Sequence, residues 1–379
     1  MISKRCQALK PFYVMEILER AKELEKTGRE IIHLEIGEPD FDTPDCVKKA
    51  AMRAMDQGKT HYTQSLGIPE LRQAISEHYL DTYQVKVDPA RILVTSGTSP
   101  AMFMLFAALL EQGDEVIISD PHYACYPGFI CFSGGVPVKI PVSEENGFEL
   151  SPETVREHIT QKTRAIFINS PSNPTGTLTS ADTLKKLSGL GPCVISDEIY
   201  HGLVYEGQQH SILEFTDNAF VLNGFSKLYA MTGWRLGYVI APKDFVRTLQ
   251  IVHQNFFISA NSVAQWSGIA ALREAGKDVA EMKNTYNQRR IYMLQRLRQM
   301  GFGITVEPGG AFYMLANASF LSENSYKLAF DILENAGVGV APGIDFGQGA
   351  EGYLRFSYAN SLENIKTGMD RLEKYVKAG

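Results

Sequence analysis

Residues 219–240 read AFVLNGFSKLYAMTGWRLGYVI, two apolar runs on either side of a loop with a single lysine, Lys227, and a single arginine, Arg235. Ala219 to Asn223 and Leu236 to Ile240 have the length and composition of buried strands. The loop between them adds Ser226, Thr232 and the glycines 224 and 233 to a mostly apolar remainder. A lysine amid aromatic and apolar neighbours loses hydration in its charged form, so its pKa falls. The neutral amine is a nucleophile that can condense with a carbonyl. An ordinary surface loop accounts for the same residues, and the flanking sequence has to decide.

Upstream, five more short apolar runs have strand character: Arg91 to Thr95, Val116 to Ser119, Val136 to Pro141, Arg164 to Asn169 and Cys193 to Ser196. Helical patterns separate most of them. That alternation predicts an α/β fold with a mostly parallel sheet of about seven strands, covered by helices on both faces. Ligands of such sheets bind beyond the C-terminal ends of the strands. Polar clusters stand at those ends: SGTSPAM from Ser96, Asp120-Pro121-His122-Tyr123, SPSNPTG from Ser170, and DEIYHGLVYEG from Asp197. The first of them opens a helix reaching to about Leu110. Free N–H groups at a helix start favour an anion, although Ser and Thr also serve there as plain N-caps.

The flanks read differently. Lys10 to Lys26 has helical spacing with Gly28 as its terminator, Ile31 to Ile36 reads as a strand, and GEPDFDTP (Gly37 to Pro44) as a loop. Asp45 to Gln57 is helical, and Pro69 stands near the first turn of the next helix, where proline is tolerated. Tyr79 reads as a packing residue. Gln250 to about Leu272 and Asp278 to Met300 are helical. After Gly301 come short strands at Ile304 to Glu307, Ala311 to Leu315, Val338 to Ala341 and Tyr353 to Ser357, then a charged helix from Leu362 to Lys377. This predicts a smaller α+β unit, which Ile31 to Pro44 joins. The expected division is 1–45, an N-terminal arm and the first part of the small unit; 46–285, the large unit; and 286–379, the rest of the small one.

Composition narrows the function. The chain has 379 residues, 44% hydrophobic and 21% charged, with a net charge of -6. A negative balance argues against a nucleic-acid partner, whose footprint is a basic patch. No apolar run approaches the roughly 18–20 residues that span a bilayer, so no membrane association is expected. The start, MISKRCQALKPFY, lacks the apolar core of a secretory signal. Five scattered cysteines without a C-x-x-C read as reduced thiols of a cytoplasmic protein, most of them small buried hydrophobes. Asp197, Glu198 and His201 lack the ligand spacing of a zinc site, and no metal is expected.

SNPTG, SDEIY, the Ser226-Lys227 pair and R-x-G at Arg235, in this order, resemble the fold type I aminotransferases of class I and II, and the resemblance covers essentially the whole chain. It implies pyridoxal 5′-phosphate as cofactor, and a ping-pong exchange of an amino group between an L-amino acid and a 2-oxo acid. Within it Lys227 is the Schiff-base and proton-transfer residue. Asp197 is the partner of the ring nitrogen, which keeps the ring an electron acceptor. Tyr200 and Asn173 bond the ring's O3′, and Tyr123 stacks on its face. Gly97, Thr98, Ser226 and Arg235 form the phosphate cup. Tyr62 reaches the phosphate of a neighbouring subunit, which implies a homodimer with shared sites. Arg355, in YLRFSYA, clamps the substrate's α-carboxylate as a planar fork. Gly37 adds a backbone contact to the substrate, which Asn173 also contacts, and APGIDFG (Ala341 to Gly347) is a substrate-side loop.

The donor amino acid stays open. One aspartate-specific subgroup takes a second arginine from the partner subunit, and the matching region here, HQNFFISANS (His253 to Ser262), has none. Phe12, Tyr13, Phe256 and Phe257 are candidates for an apolar pocket, though residues like the last two are more often core than pocket. The alternative enzyme is a cysteine-S-conjugate or cystathionine β-lyase on the same fold. A cofactor-binding transcription regulator would need a further DNA-binding domain. A silent binding module would not need the intact Lys227.

Overall fold

The computed structural model describes residues 2–7 and 9–378. Its strands, in chain order, are β1 (Ile32–His33), β2 (Ile92–Thr95), β3 (Glu115–Asp120), β4 (Val136–Pro141), β5 (Thr163–Asn169), β6 (Cys193–Asp197), β7 (Ala219–Gly224), β8 (Gly237–Ile240), β9 (Tyr313–Asn317), β10 (Val338–Gly339), β11 (Ala341–Pro342) and β12 (Tyr353–Ser357). Seven of them form one sheet in the order β2-β8-β7-β6-β5-β3-β4. Only β8 runs against its neighbours, β2 and β7; the other pairings are parallel. The two apolar runs that flank the Lys227 loop are therefore adjacent antiparallel strands inside an otherwise parallel sheet.

Both faces of this sheet are covered along its central strands. Alternate side chains of a strand point to opposite faces. Leu93, Val116, Ile118, Phe167, Phe220, Leu222 and Val239 join a core under the helices Thr98–Leu109 and Lys243–Phe256. Their neighbours Ile92, Val94, Ile117, Ile166, Ile168, Val221 and Ile240 join another, under Pro69–Tyr83 and Ser262–Glu274. Burial on both sides explains why these strands read as unbroken apolar runs rather than alternating ones. Tyr79 is fully buried in the second core, the packing role expected of it.

The smaller unit holds an antiparallel sheet, β11-β12-β9, and the parallel pair β1-β10. Ile32 lies opposite Val338, so the early segment does join the C-terminal one. A third core links the helices Tyr13–Lys26, Gly276–Gln299, Ser325–Ala336 and Leu362–Ala378 around these strands.

Several expectations are corrected. The Ile31–Ile36 strand keeps only two residues. Val338–Ala341 divides at Val340 into two strands that pair with different sheets. Ile304–Glu307 is not a strand: Gly303 makes one bridge to Asn317, and the next bridge joins Gly310 to Val204. The helix expected over 250–272 is two, parted at 257–261, where Ile258 has φ +67° and Asn261 caps the second helix by accepting the Ala264 N–H at 2.9 Å. None of the five cysteines is fully buried, and Cys6 and Cys131 are exposed. Among the described residues no helix is long and apolar enough to cross a membrane.

Candidate active site

A cavity of about 440 Å³ opens beyond the C-terminal ends of the central strands, where the large sheet meets the smaller unit. Gly37, Thr98, Tyr123, Asn173, Asp197, Tyr200, Ser226, Lys227, Arg235 and Arg355 all line it. Gly97 lies just behind, with the Arg235 guanidinium so close that a Cβ on Gly97 would stand 2.6 Å from Nη2. Tyr62 does not join them; it is 81% exposed on the surface of this single chain.

At the cavity floor, Asp197 ends β6 and is buried. Its carboxylate accepts the Tyr126 hydroxyl at 2.7 Å and the Ile199 N–H at 3.2 Å. Burial pushes its pKa up to about 6, against the pull of those two bonds and the charge of Lys227. Asn169, ending β5, gives its amide to the Asp197 carbonyl at 2.9 Å and accepts the Asn173 N–H at 2.8 Å, which joins the two strand ends.

Lys227 follows β7 and enters the cavity with Nζ donating to the Gly37 carbonyl at 2.6 Å. Burial lowers its pKa to about 8; Glu38 opposes the shift, and Arg355 and Arg235 add to it. The poised lysine expected from the apolar setting is therefore present.

The anion-receiving corner is built by backbone. Gly97 takes φ +96°, which a side chain would resist, and the helix Thr98–Leu109 starts directly after it with no side-chain cap. Arg235 itself has φ +51°, an uncommon conformation for a non-glycine residue, and Nη1 donates to the Thr232 carbonyl at 2.9 Å. Close packing of Gly237 on Gly97, where a Cβ would meet backbone at 2.9 Å, draws the two loops together. A helix N-terminus, an arginine and the Ser226 hydroxyl converge here, a donor set that suits phosphate.

Across the cavity, Arg355 projects from β12 and is buried. It donates to Asn173 Oδ1 at 3.0 Å and to the Glu35 carbonyl at 2.5 Å, and its Nε has no partner. The Tyr313 and Phe346 rings stack on its guanidinium, with centroids at 4.4 and 4.7 Å. Phe12, Val14, Met15 and Leu18, from the start of the Tyr13–Lys26 helix, form an apolar wall with Ile36 and Met102. Asp345, in the loop after β11, caps that helix from a distance, accepting the Tyr13 and Val14 N–H groups at 3.1 Å each.

Of the four expected apolar pocket residues only Phe12 lines the cavity. Tyr13 packs on Tyr326, Phe257 against the large-sheet core, and Phe256 is 69% exposed, so it belongs to neither pocket nor core. Sequence reasoning missed Tyr126, Tyr313 and Glu38. Tyr126 lies three residues after Tyr123 in PHYACY, one helical turn on; the other two carry no pattern of their own.

The aminotransferase class I and II family model matches residues 29–372. The (5-formylfuran-3-yl)methyl phosphate transaminase of Methanocaldococcus jannaschii is 40% identical over 380 residues, covering 99% of this chain and 100% of the relative. The aspartate/prephenate aminotransferase of Thermus thermophilus is 40% identical over 383 residues, with 99% and 98% covered. The solved aspartate aminotransferase from Thermus thermophilus with maleate superposes with a TM-score of 0.95 at 39% identity, over 99% of each chain.

Proposed function

The chain belongs to the aminotransferases of class I and II, and from that premise we propose how its own residues exchange an amino group between an amino acid and a 2-oxo acid. We take the cofactor to be pyridoxal 5′-phosphate. Three features of the cavity support it: the helix start, Arg235 and Ser226 as a phosphate cup; a buried carboxylate, Asp197, facing the interior; and a buried lysine whose pKa is lowered to about 8. When bound, it supplies an aldehyde that condenses with amines and a ring that accepts the electron pair released at Cα. Gly97, Thr98, Ser226 and Arg235 would hold the phosphate. Tyr123 would cover the ring, Asp197 would keep the ring nitrogen protonated, and Tyr200 and Asn173 would bond O3′.

Arg355 then binds the donor's α-carboxylate, helped by the Gly37 backbone, with Asn173 already beside it. Lys227 Nζ takes the proton from the donor's Cα. Its lowered pKa makes that role practical near neutral pH, because the ideal base titrates close to the working pH. The donor's side chain is left against Phe12, Val14, Met15, Leu18, Ile36 and Met102. That wall favours an apolar or aromatic donor.

The active unit is proposed as a homodimer in which Tyr62 reaches the partner's phosphate. Its exposure, and that of Met52, Met55 and Phe256 nearby in sequence or fold, supports a surface to be covered. The division of the chain near residues 45 and 285 belongs to the same proposal, supported by the pairing of 32–33 with 338–339. Cytoplasmic location rests on five unpaired cysteines.

The single observation that carries the reading is the convergence of Lys227, Asp197, Arg235 and Arg355 on one cavity. Its test is a half-reaction: the loaded protein is mixed with one amino acid at a time and no oxo acid. One equivalent of oxo acid per subunit is expected, fastest with aromatic and large apolar donors. Release of pyruvate and ammonia with repeated turnover would replace this reading by a lyase. Aspartate as the fastest donor would remove the apolar wall from the account.

A further inference from the structure

Tyr313 opens β9, directly after Ala311, which is held at φ +57°, and Phe312. Register places Arg355 opposite Leu315 and Ser357 opposite Tyr313, so Arg355 and Tyr313 are diagonal neighbours on one face of the sheet. The Tyr313 ring therefore lies under the Arg355 guanidinium at 4.4 Å. Its hydroxyl meets the Tyr200 hydroxyl at 2.8 Å, across the seam between the two sheets. The same hydroxyl explains a glycine: a Cβ on Gly37 would stand 1.9 Å from it. Gly37 in turn accepts from Lys227 Nζ at 2.6 Å. Tyr313 thus touches the carboxylate clamp, the O3′ partner and the loop that receives the lysine, and it is buried.

We propose that Tyr313 is a positioning residue for the exchange, with its two ends doing separate tasks. The ring holds the Arg355 fork in the plane that meets a carboxylate. The hydroxyl donates to the Tyr200 oxygen, which turns the Tyr200 proton toward O3′ and makes it a stronger donor. This rests on the proposed roles of Arg355 and Tyr200. Tyr200 is also faced by Tyr123, Tyr126 and Arg355, so the hydroxyl's share is read by difference.

The test compares Tyr313→Phe and Tyr313→Leu with the parent, all loaded with pyridoxal phosphate. Two quantities are read: the pH midpoint of the bound cofactor's absorption change, and the dissociation constant of 3-phenylpropionate, which has a carboxylate but no amine. Loss of the hydroxyl raises the midpoint by roughly half a pH unit in both variants, the size expected for one hydrogen bond. Only the leucine variant weakens 3-phenylpropionate, by about fivefold to tenfold, as loss of a cation–π contact implies. Parental values of both quantities in both variants, with or without a fall in thermal stability, would overturn the proposal. So would equal weakening of the carboxylate in the phenylalanine variant. A parent protein with no cofactor absorption at all would instead remove the reading on which the proposal stands.

Discussion

Lys227 shows how little a single residue type says until its surroundings are known. Its neighbours in sequence predict a lowered pKa, and the cavity lowers it to about 8, chiefly by burial. In protein freed of cofactor, labelling of Lys227 by an amine-specific reagent is expected to be half-maximal near pH 8, where an exposed lysine waits until about 10.5. The sign for stability follows. Between those two values the folded chain has lost this proton and the unfolded chain has not, so the cofactor-free protein gains stability as pH rises through that window. Lys227→Met should flatten that rise in a thermal-melt series. Gly37 makes the converse point. Resemblance predicts a backbone contact there, and the structure adds that Tyr313 leaves no room for a side chain. Gly37→Ala is expected to cost about 1–3 kcal/mol by overpacking, read from chemical unfolding, and Tyr313→Phe should return part of it.

Among elements, the Tyr13–Lys26 helix carries the apolar wall, and its start is set by a residue more than three hundred positions away. Asp345 holds the N–H groups of Tyr13 and Val14, which no nearby side chain caps. Asp345→Ala should cost about 1 kcal/mol of helix anchorage and raise KM for apolar donors more than it lowers kcat. Asp345→Asn, which keeps an acceptor oxygen, should lie between. Strand pairing has a similar remote support. His33, on β1, bonds the buried Glu35 at 2.6 Å and Glu25 at 3.0 Å. The Glu35 bond, first among its causes, raises the His33 pKa above 6.5. That stabilisation is complete below 6.5 and fades as pH rises past the folded value. His33→Gln should therefore melt with a flatter pH dependence over that range. Ile304–Glu307 has the composition of a strand without forming one, because apolar content alone does not distinguish a ladder from a packed loop. The large-sheet strands were legible because burial on both faces leaves long apolar runs.

On the scale of the whole molecule, the cavity belongs to neither unit. The large sheet supplies Asp197, Lys227 and Arg235, and the smaller unit supplies Arg355, Tyr313 and Gly37. Of the expected cofactor-binding residues, Gly97 lies just behind the cavity wall, and outside it altogether stands the surface-exposed Tyr62. If it completes the partner's phosphate cup, Tyr62→Phe should weaken cofactor binding about fivefold, the worth of one hydrogen bond, measured by equilibrium dialysis on the dimer. Unchanged affinity would leave Tyr62 a surface residue.

The sequence by itself determined the parallel sheet, the polar clusters at its strand ends and the lysine among apolar neighbours, because burial period and local composition are written in consecutive residues. Tertiary structure alone decided that Tyr313 lies under Arg355, that Asp345 caps a helix at the other end of the chain, and that Phe12 but not Phe256 enters the cavity. Those contacts join residues far apart in the chain, 42 positions for Tyr313 and Arg355 and 332 for Tyr13 and Asp345. They depend on strand register and on how two units face each other, and no local pattern encodes either.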